Sequence, residues 1–244
     1  MTATPLVLAG SLGSTQAMWD RQVPALAARR RLVRFDHRGH GHSPAPPGPY
    51  SIDDLGGDVL ALLDRLEIPR ASYCGLSLGG MIGIWLAAHA PERIERLVLI
   101  CTAAHAPPGS DYAERGERVR AAGTPEVVAD AVLARWFTPA FARGHPDVVA
   151  RHRAMIAAVP AEGYAGCCEA IAALDLRDDL PQIRARTLVI AAANDLALPP
   201  EYGRAIAEAI PDARLEVLDP AAHLASVERA ATVTELIADH LEEP

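Results

Sequence analysis

Lysine is absent from this sequence of 244 residues, and all 23 of its basic side chains are arginines. Without lysine, no Schiff base can form with a carbonyl substrate, and the lysine of a nucleotide-binding phosphate loop is excluded as well. The basic residues are outnumbered by 31 acidic ones, which gives a formal net charge of −8. Because a surface of this charge repels phosphate backbones, we expect no nucleic acid partner.

Cysteines and long apolar runs are also scarce. The chain has four cysteines, and none of them shows the paired spacing of a metal site: Cys74, Cys101, Cys167 and Cys168. Reduced thiols, together with an N-terminus that lacks the basic region of a signal peptide, predict a cytoplasmic protein. No run approaches the roughly 18–20 apolar residues that a membrane helix needs, so we expect no membrane partner.

The chain does contain short apolar runs separated by longer helical patterns. The runs have the length of buried strands: Leu6–Ala9, Leu32–Phe35, Ala71–Cys74, Leu97–Cys101, Leu188–Ala192 and Leu215–Leu218. The helical patterns between and after them cover Ile52–Leu66, Leu78–His89, Glu201–Ile210 and Val227–Leu241. This alternation predicts an α/β fold with a mostly parallel sheet that is covered by helices on both faces.

The alternation stops in the middle of the chain. Between residues 103 and 180 the sequence reads as helix without strand. We therefore predict a helical cap over 103–180, inserted into a core that is formed by residues 1–102 and 181–244.

The stretch with the clearest chemistry is Gly75-Leu76-Ser77-Leu78-Gly79, which has the form G-x-S-x-G. It follows a predicted strand and opens a predicted helix, which is the setting of a nucleophile elbow. Glycines on both sides of Ser77 allow the sharp turn that exposes the serine side chain. The backbone N–H of Leu78 would then lie at a helix N-terminus, where it can stabilise an oxyanion.

A nucleophilic serine needs a base, and the base needs an acid that orients it. In this elbow arrangement the chain order is serine, acid, histidine. His223 and Asp195 follow the last two predicted strands, so both lie where the carboxyl ends of parallel strands meet. Asp219 is a rival acid because it lies near His223 in sequence. The glycine-rich loop after the first strand predicts the N–H of Leu12 as a second oxyanion donor.

Three further histidines cluster in Asp36-His37-Arg38-Gly39-His40-Gly41-His42. A histidine cluster can bind a metal, but no cysteine or carboxylate spacing completes a site here. The two glycines favour a tight loop after a strand. We therefore predict no metal and no other cofactor.

Taken together, these residues resemble those of the α/β-hydrolase superfamily, and within it those of the 3-oxoadipate enol-lactonases of the β-ketoadipate pathway. The similarity extends over nearly the whole chain, through Met18-Trp19-Asp20, Asp36–Gly41, Gly48–Ile52, Gly75–Gly80, Ala90–Arg93, Arg135–Pro139, Gly163–Cys168, Pro199–Gly203 and Ala221–Leu224. The stretches Arg135–Pro139 and Gly163–Cys168 are more particular to the enol-lactonases, and both fall in the predicted cap. Members of that family begin with an extra β-hairpin, for which we find no counterpart before the strand at Leu6, so we expect about six strands and a free or partner-covered sheet edge.

The resemblance implies that a lactone is opened to 3-oxoadipate in the catabolism of protocatechuate or catechol, through an acyl-enzyme on Ser77. This substrate carries a carboxylate, and a buried carboxylate needs a partner. We predict Arg135 in the cap as that partner and Trp136 as an apolar wall. Other hydrolases with the same three residues remain open at this point: a carboxylesterase, another lactonase or a C–C bond hydrolase. So does a ligand-binding protein with little turnover, and a homodimer is the default assembly.

Overall fold

The computed structural model describes residues 3–242 and contains a single sheet of six strands, all parallel. The strands are β1 (Leu6–Ala9), β2 (Leu32–Arg34), β3 (Ala71–Leu76), β4 (Ile94–Ile100), β5 (Arg186–Ala192) and β6 (Ala213–Leu218). Their order across the sheet is β2-β1-β3-β4-β5-β6. The α/β fold and the six strands are as predicted. The central strands are buried along their whole length because helices cover both faces of the sheet.

Eleven α-helices occur between residues 3 and 242. They are α1 (Val23–Ala27), α2 (Ile52–Arg65), α3 (Leu78–His89), α4 (Tyr112–Ala122), α5 (Glu126–Trp136), α6 (Pro139–Gly144), α7 (Pro146–Ala157), α8 (Ala161–Ala172), α9 (Pro200–Ala209), α10 (Ala225–Glu228) and α11 (Ala230–Glu242). In α2 the start is set by a capping box, because Ser51 and Asp54 each bond the other's backbone N–H. None of the helices within residues 3–242 is long and apolar enough to cross a membrane.

The last predicted helix, Val227–Leu241, is wrong as a single element. The structure breaks it into α10 and α11 at Arg229, whose φ of −119° and ψ of 45° leave the helical region. The Arg229 side chain also donates to the carbonyl of Pro220, 3.0 Å away. Each of the two helices on either side of the break has its own set of buried residues. Apolar periodicity runs across the break, so the sequence pattern does not reveal it.

Five helices, α4–α8, fill the connection between β4 and β5, and we call them the cap helices. An isolated antiparallel bridge between His105 and Asp175 ties the two ends of this connection together. Arg120 of α4 forms ion pairs with Glu162 and Glu169 of α8, at 2.9 and 2.8 Å. These contacts tie α4 to α8 and the start of the connection to its end.

The order of the strands places the segment after β1 beside the segment after β3. The sheet runs outward in one direction from β1 and in the other from β3, so β1 and β3 flank the point where the order reverses. In parallel α/β sheets, ligand sites form at this switch point, beyond the carboxyl ends of the strands. The loop after β1 and the turn after β3 are the segments in which Leu12 and Ser77 were predicted to act.

Candidate active site

Ser77 stands on a sharp turn between β3 and α3. Its φ is +56° and its ψ is −116°, a backbone conformation that a non-glycine residue adopts only when its surroundings enforce it. Tight packing does so here, since a Cβ added to Gly75 would lie 2.1 Å from the carbonyl oxygen of Gly79. A Cβ on Gly79 would lie 2.4 Å from the carbonyl oxygen of Ala9. Only glycine fits at these two positions, which explains the G-x-S-x-G pattern.

Hydrogen bonds from neighbouring strands hold this turn. The backbone N–H of Ser77 donates to the carbonyl of Ile100 at 2.9 Å, and the Thr102 hydroxyl donates to the carbonyl of Ser77 at 2.7 Å. On the other side, the N–H of Gly79 donates to the carbonyl of Gly10 at 2.9 Å. The turn is therefore bonded to the segments after β1 and β4, which offsets its backbone strain.

His223 and Asp195 form a buried pair. Nδ1 of His223 lies 2.8 Å from Oδ2 of Asp195, and the Asp195 side chain is 0% exposed. The other carboxylate oxygen accepts hydrogen bonds from the N–H groups of Ala197 and Leu198, at 2.8 and 2.9 Å. All three bonds orient the carboxylate toward the imidazole. The rival acid Asp219 is exposed, and His223 pairs with Asp195 instead.

One narrow cavity of about 30 Å³ collects most of the predicted residues. From the sheet side it is lined by Ser11, Leu12, Ser77, Ala197 and His223, and from the cap side by Tyr112, Arg115, Val132, Arg135, Trp136 and Tyr164. Ser77, Leu12, His223, Arg135 and Trp136 were all predicted from the sequence. Asp195 is not among the lining residues and contacts the cavity through its hydrogen bond with Nδ1 of His223.

The two predicted oxyanion donors have no hydrogen-bond acceptor within residues 3–242. Within residues 3–242, the backbone N–H groups of Leu12 and Leu78 donate to no other protein group. Leu78 is the first residue of α3, so its N–H has no partner inside the helix and lies at the positive end of the helix dipole. Both residues neighbour Ser77, since one follows it directly and the other lines the same cavity.

The clustered histidines support the loop that carries Leu12. His37 lies 2.8 Å through Nε2 from the carbonyl of Gly10, and the N–H of Gly13 donates to Nε2 of His40 at 2.9 Å. His40 must therefore keep its proton on Nδ1, which lies 3.2 Å from the carbonyl of Arg38. Burial lowers the pKa of His40 to about 4, with a smaller contribution from His37, so the ring stays neutral. The sequence showed the cluster but not this supporting role.

Glu228 is a residue that the sequence analysis missed. One of its carboxylate oxygens accepts from the N–H of Ala222 at 3.1 Å and from the N–H of Thr138 at 3.3 Å. The other accepts from the Thr138 hydroxyl. Glu228 thus links the cap to the loop that contains His223. A second link is the hydrogen bond from the N–H of Leu224 to the carbonyl of Trp136, at 3.0 Å. No local pattern marks a carboxylate that bridges two distant segments.

The cap side of the cavity contains two polar residues that were not predicted, Arg115 and Tyr164. Arg115 is 6% exposed, and Tyr164 is 0% exposed. Neither the Nε of Arg115 nor the hydroxyl of Tyr164 has a hydrogen-bond partner within residues 3–242. Arg135 is half-buried, and its Nε donates to the carbonyl of Ala131 in its own helix at 3.3 Å. In a chain with 23 basic residues, no sequence signal separates the buried arginine from the others.

The arrangement can support nucleophilic acyl transfer, because a strained serine shares a cavity with a histidine that a buried carboxylate orients. Comparison with known proteins agrees. Residues 4–230 match the family described as the alpha/beta hydrolase fold. The 3-oxoadipate enol-lactonase 2 of Acinetobacter baylyi is 42% identical over 225 residues, which cover 92% of this chain and 83% of that protein.

A further relative and a solved structure are also similar to this chain. A protein of Azorhizobium caulinodans named as carbamate hydrolase RutD is 32% identical over 226 residues, covering 90% of this chain and 84% of its own. The crystal structure of the enol-lactonase from Burkholderia xenovorans LB400 superposes with a TM-score of 0.96 at 46% identity, covering 100% of this chain and 93% of that one. With a family match over nearly its whole length and relatives of this kind, the chain belongs to the α/β-hydrolase fold family and is a hydrolase.

Proposed function

We propose that this hydrolase opens 3-oxoadipate enol-lactone to 3-oxoadipate, and thereby acts in aromatic catabolism. The observation that carries the proposal is the cavity itself, in which Ser77 and His223 face arginine side chains from the cap. A lactone that carries a carboxylate matches both halves of that cavity, because it offers a carbonyl to the serine and a negative charge to an arginine. The enol-lactonases similar to this chain support the same substrate.

In the first half of the reaction, the Ser77 hydroxyl attacks the lactone carbonyl while His223 takes its proton. Asp195 holds the imidazole so that Nδ1 keeps its own proton and Nε2 is free to act as the base. The negative charge that develops on the carbonyl oxygen is stabilised by the N–H groups of Leu12 and Leu78. These donors are fixed by the fold, so little reorganisation is needed as the charge forms.

Collapse of the tetrahedral intermediate breaks the ring C–O bond and leaves an acyl group on Ser77. The leaving group is an enolate, which takes up the proton from His223 and becomes the ketone, so ring opening is hard to reverse. A water molecule then attacks the acyl-enzyme, with His223 again acting as the base. The product is released when the serine recovers its proton. No step requires a metal or a cofactor.

The test is turnover of freshly generated 3-oxoadipate enol-lactone, followed by loss of its ultraviolet absorbance. We expect wild-type protein to turn the lactone over and Ser77→Ala to lose at least about 10⁴-fold in kcat, because the variant lacks the nucleophile. A neutral p-nitrophenyl ester is measured in parallel. Hydrolysis of the ester without turnover of the lactone would contradict the substrate, while leaving the roles of Ser77 and His223 intact.

A second candidate function is carbamate hydrolysis, which the similarity to RutD favours. The same serine chemistry can act on a carbamate carbonyl, so the three catalytic candidates do not separate the two substrates. Parallel assays with the lactone and with a small carbamate such as methyl carbamate decide between them. A higher kcat/KM for the carbamate would replace the lactone as the proposed substrate.

A further inference from the structure

Arg115 is a buried cation without a buried anion. It lies on α4, it is 6% exposed, and it lines the same cavity as Ser77. Within residues 3–242 no carboxylate lies within 4.0 Å of its guanidinium, although eight other arginines form such pairs. The side chain of Asp111, one turn earlier, is exposed, so its charge acts on Arg115 only from a distance and through solvent. Because arginine stays charged in proteins, this charge is buried without an ion pair, and its neighbours Tyr112 and Cys168 are neutral groups.

The surroundings of Arg115 compensate the charge only in part. The guanidinium carbon lies 4.2 Å from the centre of the Tyr112 ring, a distance at which a cation–π contact is favourable. Its Nε–H has no acceptor within residues 3–242, and the buried hydroxyl of Tyr164 in the same cavity has no partner there either. Both residues line the same small cavity, and each has one buried polar atom without a partner. Buried donors are costly when they lack acceptors, which is why most of them are satisfied in folded proteins.

We propose that Arg115, assisted by the Tyr164 hydroxyl, binds the carboxylate of the substrate while the carbonyl of the same molecule lies at Ser77. This inference rests on the proposed function in that it concerns the same site, and it defines the substrate class as small esters and lactones that carry a carboxylate. A guanidinium matches a carboxylate through two parallel N–H donors, and a tyrosine hydroxyl adds a third. Binding the anion would supply the negative charge that the Arg115 guanidinium lacks within the described residues.

Arg135, predicted from the sequence for this role, has a different position. It is half-buried, it already donates to its own helix, and it also lines a surface depression beside Pro107–Tyr112. A charge that is open to solvent is screened and contributes less to binding than a buried one. Arg135 is therefore placed to attract an anion toward the cavity, whereas Arg115 is placed to hold it.

The experiment uses two esters of the same length that differ in charge. The mono-p-nitrophenyl ester of succinic acid ends in a carboxylate, and p-nitrophenyl butyrate ends in a methyl group. We expect Arg115→Met to lower kcat/KM for the succinate ester by about 30-fold or more, because it removes one partner of a desolvated charge pair. The loss for the butyrate ester is expected to be far smaller, so the ratio of the two values falls at least about tenfold. Arg135→Met is expected to change that ratio by only a few-fold.

Matched variants control for packing. Arg118 lies on the same helix, is exposed, and does not line the cavity, so Arg118→Met is expected to leave both esters unaffected. Tyr164→Phe removes a single oxygen atom and is expected to lower kcat/KM for the succinate ester several-fold more than that for the butyrate ester. If Arg115→Met does not fold, this variant and Arg115→Lys still test the proposal. Equal losses on both esters in folded variants would overturn it.

A binding measurement separates this inference from the proposed function. Adipate is expected to inhibit butyrate ester hydrolysis competitively in the wild-type protein, and Arg115→Met is expected to raise its inhibition constant by at least about tenfold. If the wild-type protein turns over the succinate ester through Arg115 but not the enol-lactone, the proposed function fails and this inference stands. If it turns over the lactone and Arg115→Met retains the charged-ester preference and adipate inhibition, the inference fails and the function stands.

Discussion

The two walls of the active-site cavity differ in how their polar groups are satisfied. On the sheet side, the carboxylate of Asp195 accepts three hydrogen bonds and the turn at Ser77 is bonded to its neighbouring segments. On the cap side, Arg115 and Tyr164 present buried polar atoms that lack partners within residues 3–242. Within residues 3–242, the sheet side leaves the N–H groups of Leu12 and Leu78 unpartnered for the reacting carbonyl, and the cap side leaves Arg115 without an ion pair.

This difference separates chemistry from selection. Groups that act on the reacting carbonyl must be held in place in advance, because reorganisation during the reaction raises the barrier. Groups that recognise the rest of the substrate are best left without internal partners, since an ion pair within the protein would compete with the ligand. Variants on the sheet side should therefore reduce the rate for every ester, and variants on the cap side should change which ester is preferred.

The largest loss of activity from a change on the sheet side is expected for Asp195→Asn. The amide can still accept from Ala197 and Leu198 through its oxygen, but its NH₂ group would then face Nδ1 of His223. The imidazole would have to place its proton on Nε2 and could no longer accept one from Ser77. We expect kcat/KM to fall by about 10³- to 10⁴-fold on charged and neutral esters alike. Asp219→Asn serves as the control, and a comparable loss there would contradict the assignment of the acid.

A smaller effect is expected where the two walls are joined. Glu228→Ala removes the acceptor shared by the N–H groups of Ala222 and Thr138. The loop that contains His223 then loses this link to the cap. Since two buried N–H groups lose their partner, we expect the free energy of unfolding to fall by about 2 kcal/mol. We also expect kcat/KM to fall about tenfold on both esters. Glu228→Gln retains one acceptor oxygen and should lose much less; equal losses in the two variants would argue against this link.

The smallest effect concerns pH. Burial depresses the pKa of His40 from its ordinary 6.5 to about 4, so between these values the unfolded chain binds a proton that the folded chain does not. The contribution of His40 to stability is therefore complete above pH 6.5 and is lost as the pH falls toward 4. Urea unfolding at pH 7 and pH 5 should show that wild-type protein loses about 2 kcal/mol more than His40→Gln. The same loss in both proteins would show that other groups are responsible.

Much of the sheet side was predictable from the sequence, because its elements are local. Short apolar runs mark buried strands, and two glycines around Ser77 mark a turn in which no Cβ fits. Asp195 and His223 follow from chain order and from their positions after the last two strands. These features depend on residues that are close together along the chain, so a pattern in the sequence carries them.

The cap side was predictable only in part, because its features depend on distant contacts. Arg135 and Trp136 do line the cavity, but Arg115 differs from other arginines only in being buried by residues far away in sequence. Glu228 matters because the cap folds back onto it, and the break at Arg229 lies within an unbroken apolar pattern. Burial and pairing across the chain are properties of the fold that composition and periodicity do not encode.

The link at Glu228 also has a consequence for how proteins of this architecture diverge. A cap can exchange the residues that contact the substrate while the chemistry beneath it is left untouched, provided that the contacts at Thr138 and at the carbonyl of Trp136 remain. Those two contacts are the points at which the cap is bonded to the segment around His223. Changes in specificity are then expected on α4 and α8, away from these contacts. A transplanted cap that lacks the contacts would leave the loop of His223 unsupported.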